Sequence, residues 1–277
     1  MTKLLLIAGL PSHGPGAHEY RAGMLLLTQC LAGVPALTVE VHDGDRLWSD
    51  DALEGASAIA IFADGGAGHP LLKDDQFTKI SKLVYERGLG LGLMHYALEL
   101  PEGDGAEQVD SWVGGHYQDQ VSCNPIWDAR IERLPKHPVA RGVAPFSTTD
   151  EWYMNIQFGD AATDVSTSPG STGHITPILV ATPSDVVRRG PYVLPRGPYP
   201  HIVADSGRPE ILMWVFERRD GGRGFGLTGG HFHANWANDA FRTAVLNALV
   251  WVTGVEVPAE GVGSALTSHD LDRNLDP

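Results

Sequence analysis

The chain holds 12 histidines in 277 residues, and these are the groups best suited to chemistry. Six of them fall where an apolar run gives way to a loop. His13 and His18 follow the run 4–10, His69 follows Asp64-Gly65-Gly66, His95 closes 89–94, and His231 and His233 follow 225–228. Any single loop histidine is more commonly a hydrogen-bonded structural residue. Four loops from distant parts of the sequence, each delivering one to the same rim, favour a site. Imidazole with carboxylate is the usual donor set for zinc and other divalent transition metals, and imidazole is also the commonest acid or base near neutrality. Gly14, Pro15 and Gly16 separate His13 from His18, so the backbone can bend sharply and turn both rings inward. His13, His18, His95 and His233 are the expected metal ligands, with zinc the first candidate. Of His231 and His233 only one is expected to reach the site, and His233 is favoured. No HExxH spacing is present. His95 and Glu99 stand at i, i+4 but run into Pro101, so the pair is suggestive only. His13, His95, Glu99 and Tyr153 are the candidates for acid, base or oxyanion donor, with Tyr96 behind them.

His95 also ends a strand that breaks abruptly into a turn, a geometry in which hydrolases expose Ser or Cys. Here the residues are Met94-His95, so the elbow offers no covalent nucleophile. Cys30 falls in a predicted helix and Cys123 in a loop-rich stretch. That stretch, 99–158, carries Asn124-Pro125-Ile126-Trp127 and Asp150-Glu151-Trp152-Tyr153. Aromatic faces flanked by acids suit a sugar: Trp127 and Trp152 would cover its C–H face, and Asn124, Asp150, Glu151 and Asp64 would take its hydroxyls. The same rings could equally anchor an insert to the core.

These residues need a frame. The runs 3–8, 58–62 and 89–94 are apolar without alternation, as expected of parallel strands covered on both faces. Helical spacing appears over 19–31, 71–87 (closed by Gly88) and 239–252, and further strands are expected at 37–41, 177–181, 211–217 and 223–228. Strands alternating with helices predict an α/β fold, a flavodoxin-like doubly wound parallel sheet with helices on both faces. Its ligand site lies outside the carboxyl ends of the strands. Residues 1–257 read as one domain with an aromatic-rich insert over about 99–158. Residues 258–277 read as a polar tail that is either wrapped on the surface or disordered.

Composition excludes several classes. With 20 basic against 34 acidic residues the net charge is −14, and basic doublets occur only at Arg188-Arg189 and Arg218-Arg219, so nucleic acid is not an expected partner. Apolar residues make up 43% of the chain, enough for a large core. No run reaches the roughly 18 apolar residues of a membrane span. Two cysteines without a CxxC pair argue against a disulfide framework and fit a reducing cytoplasm. No nucleotide-binding motif is present, and a homo-oligomer is open.

The ordered set Ser12-His13-Gly14-Pro15-Gly16-Ala17-His18-Glu19-Tyr20, Asp64-Gly65-Gly66 with His69-Pro70, His95-Tyr96-Ala97-Leu98-Glu99, Asn124-Pro125-Ile126-Trp127, Asp150-Glu151-Trp152-Tyr153 and Gly229-Gly230-His231-Phe232-His233 resembles the ThuA-like (trehalose-utilisation) family over about 3–258. The resemblance implies the fold of class I glutamine amidotransferases and a setting in sugar catabolism, often with keto-sugars. It does not carry glutaminase chemistry, because Met94-His95 stands where those enzymes place a cysteine. The expected activity is that of an isomerase, lyase or hydrolase on a glycoside or keto-sugar at a histidine-rich, metal-dependent site. The alternatives are a non-catalytic carbohydrate-binding protein on the same scaffold, or an amidohydrolase with an unconventional nucleophile.

Overall fold

The computed structural model describes residues 1–44, 48–101, 103, 105–159 and 173–277. A seven-stranded sheet forms its centre, in the order β2-β1-β3-β4-β9-β8-β7. The strands are β1 (Thr2–Ala8), β2 (Leu37–Asp43), β3 (Ala56–Phe62), β4 (Gly90–Met94), β7 (Gly173–Ala181), β8 (Glu210–Arg218) and β9 (Arg223–Leu227). β1, β2, β3, β4 and β9 pair in parallel, whereas β8 runs antiparallel to both of its neighbours. The expected wholly parallel sheet is thus mainly parallel. The link from β8 to β9 passes through Arg219-Asp220-Gly221-Gly222, a hairpin turn too short for the crossover that a parallel pair needs.

Strand alternation sorts the core into two faces. Leu4, Leu6, Ala58 and Ala60 belong to the core shared with α1 (Tyr20–Leu31) and α7 (Asp239–Trp251), through Met24, Leu27, Val245 and Leu249. Leu5, Ile7, Ile59 and Ile61 belong to the core shared with α3 (Gln76–Arg87) and α4 (Ala106–Val113), through Ile80, Val84, Val109 and Trp112. Both faces of the strands are buried, which is why their sequences run apolar without alternation. Helix α3 starts later than its pattern suggests, because Pro70–Leu72 closes a separate 3₁₀ turn first. The short helices α2 (Asp50–Leu53), α5 (Asp185–Arg188) and α6 (Pro200–Ala204) are single turns.

The stretch 99–158 is not all peripheral. It begins with α4, whose Trp112 is fully buried against the sheet, and continues into an antiparallel ribbon of β5 (Ile126–Ile131) and β6 (Phe146–Glu151). Residues 258–277 lie along the surface and end in α8 (Ser268–Leu271), closed by a capping box between Thr267 and Asp270. Among the described residues no helix is long and apolar enough to cross a membrane.

Candidate functional site

The turn after β4 gives His95 a backbone φ of 55°, and the loop after β1 gives His18 the same value. For a residue with a Cβ this left-handed conformation costs roughly 1 kcal/mol or more and persists only where neighbours impose it. Both rings are buried and both are oriented by a partner on Nδ1. His95 Nδ1 lies 2.7 Å from the Thr228 carbonyl, so it carries the proton and donates it. His18 Nδ1 lies 2.6 Å from the Tyr20 hydroxyl. Tyr20 donates its only hydroxyl proton to Asp64 Oδ1 at 2.7 Å, so its oxygen accepts from His18 Nδ1–H. The Nε2 atoms of both histidines are therefore unprotonated acceptors, and they face each other at 3.1 Å. Burial lowers the pKa of His18, with the neighbouring imidazoles of His95, His13 and His231 acting in the same direction. Burial also lowers that of His95, against the opposing fields of Glu151 and Asp150. Protonation, the simplest way to bridge two lone pairs, is thus disfavoured.

His231 and Glu151 complete the cluster. Ala17 pairs with Phe232 in an antiparallel bridge and His18 N donates to His231 O at 2.9 Å, so the loops after β1 and β9 are stitched together. Asp150, wholly buried, caps the second loop by accepting from the backbone N–H of Gly230, His231 and Phe232 at 2.8, 3.0 and 3.3 Å. His231 Nδ1 then lies 2.7 Å from Glu151 Oε2 and 2.8 Å from His18 Nε2. Glu151 is held in turn by Asn124 Nδ2, 2.8 Å from Oε1. One donor atom each from His18, His95, His231 and Glu151 lies within 4.8 Å of all the others, a set that could hold a divalent transition ion.

The cluster opens into a cleft of about 460 Å³ lined by His13, Tyr96, Glu99, Tyr117, Asp119, Asn124, Tyr153 and the wall Val193-Leu194-Pro195, among others. Burial, then the charge of Asp119, raises the Glu99 carboxyl to about 7. Burial likewise raises Tyr96, Tyr117 and Tyr153, so all three phenols stay protonated at neutral pH. Tyr153 stacks on His95 with centroids 4.9 Å apart. Ser12 Oγ donates to Asp64 Oδ1 at 2.8 Å and lies 2.8 Å from His13 Nδ1, an arrangement that puts the imidazole proton on Nδ1 and leaves His13 Nε2 free.

Several expected residues lie elsewhere. His233 points away from the cluster and donates from Nε2 to the Leu271 carbonyl at 3.1 Å. In an extended strand His231 and His233 would share a face, but a 3₁₀ turn begins at His233 and the rings diverge. Trp127 and Trp152 are buried packing residues whose indoles donate to the carbonyls of Trp152 and Thr148, so neither presents a face to the cleft. Asp150 caps a loop, and Asp64 orients His18 and His13 through Tyr20 and Ser12. His69 donates to the Ala97 carbonyl and accepts from Leu71 N–H, and burial lowers its pKa to about 4. Cys30 and Cys123 are buried and burial raises both thiols, the opposite of a nucleophile's environment. Sequence reasoning missed Tyr20 and Tyr117. Tyr20 lies inside the first quoted motif, two residues past His18, and that spacing was the available signal.

Among solved structures, a putative ThuA-like protein from Bacteroides uniformis is similar at 14% identity with a TM-score of 0.59, covering 91% of this chain and 91% of its own. A second, from Parabacteroides merdae, matches at 14% identity and 0.59 over 93% and 92%. The glutaminase domain of Trypanosoma brucei CTPS with bound acivicin matches at 10% identity and 0.49 over 94% and 98%. No curated protein matches the sequence. The family model described as ThuA, trehalose utilisation, matches residues 12–252, and the chain therefore belongs to the ThuA family.

Proposed function

We propose that the cleft is the active site of a carbohydrate-active enzyme of the isomerase, lyase or hydrolase type, acting on a glycoside or keto-sugar with a divalent transition ion, zinc first, held by His18, His95, His231 and Glu151. The observation that carries the ion is the pair of unprotonated Nε2 atoms facing each other at 3.1 Å, each histidine fixed by a hydrogen bond on its other nitrogen. Two acceptors at that distance in a buried site repel unless a cation lies between them. The family's place in trehalose utilisation supports a sugar as substrate. Such an ion would polarise a carbonyl or hydroxyl oxygen of the substrate.

The surrounding residues fit that use. Glu99, with a pKa of about 7, can give or take a proton near neutrality, and His13 offers a free Nε2 as a second base. Protonated Tyr96, Tyr117 and Tyr153 can donate to sugar oxygens. Deciding the question takes elemental analysis of protein purified without chelator or nickel resin, beside His95→Ala and Tyr20→Phe. About one ion per chain is expected in the wild type, none in His95→Ala, and about 10–100-fold weaker binding in Tyr20→Phe, which removes one oxygen that orients His18. A wild type that takes up no ion overturns the metal reading and favours the carbohydrate-binding alternative.

A further inference from the structure

The C-terminal segment meets the site at a point that neither the ligands nor the cleft explain. Glu19 follows His18 directly and is buried, at 2% exposure. Its two carboxylate oxygens take different partners. Oε1 accepts from Gly16 N at 2.8 Å, closing the loop that carries His18, and Oε2 accepts from Asp276 N at 2.7 Å, near the far end of the chain. A second link runs in parallel: His233 N donates to Gly16 O at 3.0 Å, while its ring donates to Leu271 O at 3.1 Å. A third anchor, Gln29 to Asp270 at 3.0 Å, ties α8 to α1.

We infer that residues 267–277 are a strap that acts through Glu19 and His233 to hold the 14–18 loop in its ligand-presenting shape, making Glu19 a positioning residue for the metal site. This rests on the proposed ion for its functional consequence. The left-handed backbone at His18 gives the strap a reason: that conformation is disfavoured and relaxes when its surroundings loosen. Gly14 and Gly16 add no side-chain packing of their own, so the loop is held by hydrogen bonds, and Glu19 supplies the one at its centre. His233 is the latch between strap and loop in this arrangement and not a ligand.

Two variants test the inference: a chain ending at residue 266, and full-length Glu19→Gln, which can still accept at one oxygen but not at both. Titration with Co²⁺, followed by its visible absorption, reads affinity and ligand field together. Binding about tenfold weaker and an altered cobalt spectrum are expected in both variants, with secondary structure retained by circular dichroism. Hydrogen exchange of the 14–18 and 231–233 peptides in metal-free protein reads the strap independently, and faster exchange is expected in both variants. Unchanged exchange in the full-length Glu19→Gln chain together with wild-type cobalt affinity overturns the strap. If the wild type binds no cobalt, the metal reading falls and the exchange rates alone decide whether the strap exists.

Discussion

Glu99 shows how one residue's surroundings set its chemistry. Its carboxyl faces the cleft beside Asp119 and three phenols, Tyr96, Tyr117 and Tyr153, and no lysine or arginine lines the cleft among the described residues. Burial and Asp119 therefore raise its pKa from 4.5 to about 7. Between those values the folded chain holds a proton that the unfolded chain has released, so rising pH costs stability across that window. Replacing Glu99 by Gln removes the titration while the histidines stay common to both proteins. The unfolding midpoint of Glu99→Gln is expected to gain on that of wild type as pH rises from about 4.5 to 7 and to hold its lead above it. Midpoints that track in parallel across the range would show that Glu99 titrates normally. The same residue scale marks the limit of the sequence. Histidine type and strand-end position were enough to single out His13, His18 and His95, but choosing His231 over His233 depends on where a 3₁₀ turn begins, and no residue type signals that.

At the scale of elements, the site depends on how closely loops approach one another. Gly65 shows this where the loop after β3 meets the turn after β4: a Cβ there would come within 2.2 Å of the Tyr96 carbonyl oxygen. On the opposite side Asp150, at the end of β6, serves as the cap of the loop after β9, also accepting from Glu151 N at 2.9 Å. Removing its carboxylate leaves several buried backbone N–H groups without an acceptor, at roughly 1–3 kcal/mol each. Asp150→Ala is therefore expected to lose about 3 kcal/mol or more in denaturant unfolding, and Asp150→Asn, which keeps one oxygen, markedly less. Equal losses would mean that a single amide oxygen cannot serve as the cap and that both carboxylate oxygens are required. The sequence foretold the parallel strands because their two-sided burial leaves unbroken apolar runs. It obscured β8, which is as apolar as its parallel neighbours although it runs the other way. The hairpin residues Asp220-Gly221-Gly222 were the only local sign of that reversal.

Across the whole molecule the proposed ligands come from positions 18, 95, 151 and 231, at the ends of β1, β4, β6 and β9, so only the complete fold brings them together. An ion held there binds the native chain and hardly the unfolded one, in which those four residues are far apart. Linkage then gives a stabilisation of about 2.7 kcal/mol when free ion is a hundredfold above its dissociation constant. For a chain of this size that shifts the thermal midpoint upward by about 5 °C. The net charge of −14 works in the same direction, because a bound divalent cation relieves part of the self-repulsion of the compact state. Differential scanning with zinc or with chelator is expected to separate the wild-type midpoints by that margin and to leave His95→Ala unmoved. A shift of equal size in His95→Ala would place the ion at some other group of the acidic surface, and the four donors would then need another occupant.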